Sequence, residues 1–298
     1  MGAMNNIAAS SMPRAASSVS VSASVGSMLR DWRQRRRLSQ LDLSVDADIS
    51  TRHLSFLETG RSAPSREMVL RLAERLDVPL RERNSLLAAA GYASLYPERP
   101  LADPSLSAAR RAVDMVLKGH EPYPALAIDR HWNMVTANSA VTPLLAGVKE
   151  ESLLRAPVNV LRLTLHPQGL APAIVNWAQW RGHLLERVHR QVEASGDAVL
   201  VALHEELSAY PQPPMEIGAL SGSARGGAND ATPASAASIS SPDFDGIAVP
   251  FQLRTELGVL SFFSTTMTFG TPVDVTLSEL AIESFFPADD ATAAAFRR

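Results

Sequence analysis

Cysteine is absent from the 298 residues, which excludes a disulfide framework, thiol catalysis and the cysteine-bearing zinc and iron–sulfur sites. Lysine is nearly absent too, since only Lys118 and Lys149 occur, so every basic residue before position 93 is arginine. No apolar run reaches the roughly 18 residues of a membrane span, and residues 1–24 mix Ser, Ala and Met with one arginine instead of building a charged start and an apolar stretch. These absences set an expectation of a cytoplasmic protein with no membrane segment. The enzyme signatures GxSxG, HExxH, GxGxxG and the P-loop are missing as well. His183 and His189 lie about 240° apart on a helix, His204 has no second ligand four residues on, and Asp289–Asp290 sit near the C-terminus. No catalytic residue, metal ligand or cofactor is therefore expected, and the chain is not read as an enzyme.

With 46% hydrophobic and 20% charged residues, the chain can bury two ordinary cores. The net charge of -3 hides an asymmetry. Residues 25–92 hold 12 arginines against 9 acidic residues, whereas residues 93–298 hold 15 basic against 22 acidic ones. A basic N-terminal module on an acidic body suggests that the first faces an anion and the second does not.

Residues 1–24 lack apolar periodicity and predict a disordered tail. Five short helices are then expected over 25–92. The first carries Met28, Leu29 and Trp32 on one face and Arg30, Arg33 and Arg35 to Arg37 on the other. Ser39 and Ser50 cap the second and third, with Asp42 placed for a weak capping box, and Asp48 stands where the backbone needs a positive φ. The third contributes Leu54 and Leu57 and ends at Gly60. Ser65 starts the fourth, whose buried stripe is expected to be Met68, Leu72 and Leu76. The fifth runs from Pro79 to Gly91.

The prolines of ASLYPERPLADPS mark a linker over 93–105. From 106 to 298 the pattern predicts an α+β domain. A helix is expected over 106–119, strands over Ala125–Ile128 and Met134–Ala137, and helices over 138–146, 158–165, 173–194 and 197–209. A hairpin turning at Glu256 to Gly258 and a short terminal helix in TLSELAIESFF complete it. Residues 217–243 are low-complexity and predict a disordered surface loop.

The run SQLDLSVDADISTRHLSFLETGRSAPS has the organisation of a helix-turn-helix and resembles the XRE/Cro-like repressors through Ser39-Gln40, Leu43, Ala47, Ile49-Ser50, Leu54, Leu57-Glu58, Gly60-Arg61 and Pro64. The resemblance implies binding to double-stranded DNA, with the helix that begins at Thr51 in the major groove. Carried over by position, the candidate contacts are Gln40, Ser50, Thr51, Arg52, His53, Ser55, Phe56 and Arg61. Arg52 is the expected base reader, and Gln40, Arg61 and the Arg35 to Arg37 run are expected phosphate contacts. One departure stands out, because the family's usual turn glycine is Asp48 here. A dimer on a two-fold operator is expected, since one such motif reads few bases.

Further blocks, including AIDRHWNMVTAN, VNVLRLTLHPQGL and NWAQWRGHLLERV, resemble the MmyB-like regulators, helix-turn-helix proteins with a C-terminal ligand-binding domain. The order strand, Asp turn, strand, Asn, helix also opens PAS-like domains. The resemblance implies a PAS-like fold around an apolar cavity that accepts a fatty-acid-like ligand. Trp177, Trp180, Leu184, Val188, Phe251, Leu260 and Phe262 are candidate lining residues that could equally fill a core. Arg162, His166, Arg181 and His183 are the candidate partners of a ligand carboxylate. Two readings follow: a transcription regulator that senses a small apolar molecule, or a DNA-binding protein whose second domain recruits a partner and holds no ligand.

Overall fold

A computed structural model of the chain describes residues 23–213 and 249–297. The expected loop over 217–243, and all of the expected tail except residues 23 and 24, lie outside the described residues.

Five helices build the N-terminal unit: α1 (Val25–Arg35), α2 (Gln40–Asp46), α3 (Thr51–Glu58), α4 (Arg66–Arg75) and α5 (Leu80–Ala89). Serines start the first four. Ser24, Ser39, Ser50 and Ser65 each take an extended backbone and accept a hydrogen bond from the N–H three residues on, which satisfies a donor that every helix start leaves orphaned. At Ser39 the box closes both ways, because Asp42 accepts from the Ser39 N–H at 2.9 Å. Asp48, at φ 53°, makes the left-handed step between α2 and α3 that a glycine would otherwise supply. Leu29, Trp32, Leu43, Leu54, Leu57 and Leu72 meet in one core. On α4 the buried stripe is Val69, Leu72 and Ala73, continued by the C-cap Leu76, the i, i+3, i+4, i+7 set. Met68, expected in that stripe, lies one position round the helix and stays half-buried.

The segment expected as a linker is tied to α5. Asn84 Oδ1 accepts from the N–H groups of Leu95 and Tyr96 at 3.0 and 3.1 Å, and its Nδ2 donates to the Tyr96 carbonyl at 2.7 Å.

The second unit is an antiparallel five-stranded sheet with helices on both faces. Its strands are β1 (Ala125–Ile128), β2 (Met134–Ala137), β3 (Phe251–Thr255), β4 (Gly258–Thr268) and β5 (Ala281–Pro287), in the order β2-β1-β5-β4-β3. Its helices are α6 (Ser107–Gly119), α7 (Val160–Leu165), α8 (Trp177–Ser195), α9 (Ala198–Ala209), α10 (Val275–Ser278) and α11 (Asp290–Ala295). All four residues of β1 are buried because alternate side chains enter different cores. Ala125 and Ala127 pack under α6, while Leu126 and Ile128 enter the larger core with α7, α8 and α9.

The terminal helix expected in TLSELAIESFF is corrected. Only Val275–Ser278 is helical, and Ala281–Pro287 forms β5, which pairs with β1 on one side and β4 on the other. Pairing on both edges overrides a local pattern that resembles a helix. The helix expected over 138–146 is a 3-10 helix (Ser139–Leu145) with Pro143 inside it, and α8 begins at Trp177, after a 3-10 turn at Ala171–Ala173.

Candidate functional site

α3 presents the surface expected to meet DNA. Arg52, His53 and Arg61 are exposed, and Phe56 stands half-buried between them, with the Arg52 guanidinium 5.3 Å and the Arg61 guanidinium 5.9 Å from its ring centre. Two cations therefore flank one aromatic ring. Ser50 is the cap of α3 and accepts from the His53 N–H at 3.1 Å. Ser55 is half-buried, and its carbonyl accepts the Thr59 hydroxyl at 2.7 Å. Thr51 Oγ1 lies 3.0 Å from Ser44 Oγ, a bond that joins α3 to α2 and engages the hydroxyl inside the motif.

Beneath this surface lies a buried ion pair. Arg33 donates through Nε and Nη2 to both oxygens of Glu58 at 2.6 and 2.9 Å, and Gln40 Nε2 donates to Glu58 Oε2 at 2.8 Å. Burial raises the Glu58 carboxyl, but the bonds from Arg33 and Gln40 and the Arg33 charge outweigh it and hold the group below the ordinary carboxylate range. Gln40, the first residue of α2, is thus fixed in orientation from below, and its amide keeps a second N–H for an outside acceptor.

Two of the arginines expected on phosphates are placed elsewhere. Arg36 donates to the carbonyls of Leu76 and Asp77 at 2.8 Å each, and Arg35 donates to the Ser195 carbonyl in the second unit. That expectation is corrected for Arg35 and Arg36, whose guanidiniums are already bonded to backbone carbonyls.

In the second unit an apolar cavity of about 80 Å³ lies between α8 and the sheet. Of the expected lining residues, Trp180, Leu184 and Phe251 line it. Val188, Leu260 and Phe262 do not reach it and fill the adjoining core, and Trp177 faces a separate groove beside Pro172 and Gln212.

None of the four expected carboxylate partners lines this cavity. Arg162 forms a two-pronged pair with Glu206 at 2.7 to 3.1 Å, and Tyr210 donates to the same carboxylate at 2.5 Å. His166 accepts from the Gln168 N–H at 3.1 Å and packs edge-on to Tyr210. Arg181 donates to the Ser208 carbonyl at 2.8 Å. His183 stacks on Trp180, and burial, helped by the charges of Arg187 and Arg190, holds its imidazole below the ordinary value, which favours the neutral form.

The cavity's charged groups are instead Arg187 and Glu283. Arg187 Nη2 donates to Glu283 Oε1 at 2.6 Å, Thr266 donates to the same oxygen at 2.8 Å, and the guanidinium lies 4.7 Å over the Trp132 ring. Trp132 owes its place to a local turn. Asp129 Oδ1 accepts from the N–H groups of His131 and Asn133, each at 2.8 Å, and closes a loop in which Trp132 takes φ 66°. The Asp129–Asn133 turn is a signal that could have marked Trp132. Arg187 is four residues from His183 and three from Leu184, so it shares their side of α8, a spacing that could have marked it.

A helix-turn-helix with a cation-flanked third helix, joined to a domain with an apolar cavity, defines a DNA-binding regulator with a ligand-binding domain. The family comparisons agree. Residues 29–83 match the helix-turn-helix family, and residues 109–221 match the MmyB-like transcription regulator ligand binding domain. The chain therefore combines an XRE-type helix-turn-helix with an MmyB-like ligand-binding domain, as the sequence blocks implied. No curated protein matches it. Among the described residues no helix is long and apolar enough to cross a membrane, and no group of three or more His, Asp or Glu could hold a metal ion.

Proposed function

We propose that this transcription regulator senses a small apolar, chain-like molecule and reads DNA with α3. Arg52 carries base recognition in this reading, because its fork can span two acceptors of a guanine, and Phe56 holds that guanidinium against the helix. Gln40, His53 and Arg61 contact phosphate. A homodimer places two copies of α3 about one helical turn apart on a two-fold operator.

The observation that carries the sensing role is the cavity between α8 and the sheet, bounded by Trp132, Leu126, Trp180, Leu184 and Phe251. A lined apolar space in a close-packed interior is a candidate ligand site. Its volume is roughly half that of an engineered cavity of about 150 Å³ that takes benzene, so a longer chain enters only as side chains move apart. Such movement gives bound and empty protein different conformations, which a ligand needs in order to bias DNA binding. Organic extraction of the purified protein followed by mass spectrometry tests this reading. A stoichiometric lipid-like molecule supports it, whereas an empty protein that takes up no apolar compound favours a partner-recruiting domain.

A further inference from the structure

We infer that the cavity selects an uncharged ligand, an apolar chain with a hydroxyl or carbonyl oxygen in place of a carboxylate or an ammonium, and that Glu283 is the residue that turns anions away. The inference rests on the reading of this cavity as a ligand site.

The cavity holds one cation and one anion, and they face each other. Arg187 donates to both Glu283 oxygens, at 2.6 and 3.3 Å, and to the Thr266 hydroxyl at 3.1 Å. Glu283 is buried in the central strand β5, opposite Leu126 of β1, so its carboxylate lies inside the domain away from bulk solvent. A ligand carboxylate in this space would set two anions against one guanidinium in a low-dielectric interior, and an ammonium would set two cations against one carboxylate. Either leaves an uncompensated buried charge, a costly arrangement. No relief comes from neighbouring residues, because neither Arg162 nor Arg181 lines the cavity and His183 favours the neutral form.

A neutral oxygen meets no such conflict. Trp180 lines the cavity, and its indole N–H is buried with no hydrogen-bond partner among the described residues. Buried donors are seldom left unpaired, so this N–H is a candidate donor to an acceptor oxygen once side chains move apart to admit a ligand. Ser264 adds a hydroxyl on the same lining. The demand is for an acceptor oxygen without charge. Glu283 also lies beyond residues 109–221, the span that matches the MmyB-like domain, so this selectivity is written in a strand outside that match.

Three eight-carbon probes that differ only in their head test the inference: octanol, octanoate and octylamine, titrated at neutral pH into the full chain. Trp132 and Trp180 both line the cavity, so intrinsic tryptophan fluorescence reports entry, with calorimetry as the second readout. Octanol should bind saturably, and octanoate and octylamine at least about tenfold more weakly, or ~1.4 kcal/mol. In Glu283→Gln, Arg187 is released and the anion removed, so octanoate should gain about tenfold relative to octanol. The double variant Glu283→Gln/Arg187→Gln should lose that gain, which separates a freed guanidinium from a general loosening. If Glu283→Gln does not fold, the wild-type comparison decides alone. Octanoate or octylamine binding wild type as tightly as octanol overturns the inference and leaves the ligand site standing. No binding by any of the three, with nothing extractable, overturns the ligand site and the inference together.

Discussion

The guanidinium of Arg35, on helix α1 of the DNA-reading unit, donates at 2.5 Å to the carbonyl of Ser195, the last residue of α8. Arg36 lies at the same helix end, 3.5 Å from the Ala194 carbonyl. The final carbonyls of a helix lack partners within it and carry partial negative charge, so cations there are stabilising. α8 has 19 residues, about 28 Å at 1.5 Å per residue. Trp180, Leu184 and Arg187 on this rod line the cavity, and its far end rests on α1. A second bridge runs beside it. Arg81 of α5 donates to Glu279 at 2.8 and 2.9 Å and to Glu98 at 2.7 Å, and Arg130 reaches Glu279 at 3.7 Å and Asp197 at 3.4 Å. Asp197 also meets His131, the neighbour of the cavity residue Trp132.

Removing both bridges should uncouple the two units without unfolding either, because their cores are separate clusters. Each lost hydrogen bond to a charged group costs about 1.5–3 kcal/mol at most, less where solvent reaches it. In the double variant Arg35→Ala/Arg81→Ala, calorimetry should resolve two independent unfolding transitions where wild type shows them merged. An unchanged melting profile would mean that these contacts do not link the units.

Arg52→Ala should weaken specific DNA binding by about 1–3 kcal/mol and relax preference at one base position. Its neighbour Phe56 gives a control, since Phe56→Leu keeps the charge and removes the ring beneath it. Competition between operator and random duplex measures both effects. Equal losses on the two duplexes for Arg52→Ala would count against base reading.

Much of the N-terminal unit was legible because its signals are local. Ser39, Ser50 and Ser65 act within three residues of themselves, and Asp48 decides its own turn. What the sequence did not reveal depends on residues far apart in it. Gly26 allows α1 to lie on α3, since a Cβ there would collide with the Leu57 carbonyl oxygen, yet nothing around Gly26 says so. β5 is a strand because β1 and β4 flank it. In the cavity, Trp180, Leu184 and Phe251 were recoverable from helical spacing and hairpin position, but Glu283 becomes a cavity residue only when its strand is central. The arginine run at 35 to 37 misled because a surface cation has the same signature whether its acceptor is a phosphate or the end of another helix.

The Arg33–Glu58 pair should give the DNA-reading unit a defined acid transition. The Glu58 carboxyl sits below its ordinary range in the fold, so its contribution is fully present above that range and is lost as pH falls through the folded value. Helicity of the unit should hold down to the usual carboxylate range and then drop below it. Glu58→Gln should blunt this acid dependence. It should also cost roughly 3–5 kcal/mol at neutral pH, because Arg33 is left buried without its anion. An acid transition identical in Glu58→Gln and wild type would remove Glu58 from this role.

Leu184→Trp tests the cavity from the α8 side. Leu184 is buried and lines the space one turn beyond Trp180, so an indole there occupies volume that a chain-like ligand needs. Overpacking should cost about 1–3 kcal/mol, and the loss should fall on the second unit, because Leu29, Leu54 and Leu72 belong to a different core. Octanol uptake should fall, while DNA binding without added ligand persists. Any change in DNA affinity that octanol produces in wild type should vanish in the variant, since a ligand shifts an equilibrium only through unequal affinity for its two states. Parallel titrations of octanol with operator DNA present decide it. Full octanol uptake by Leu184→Trp would place the ligand elsewhere, and lost DNA binding without octanol would mean that the two cores do not fold independently.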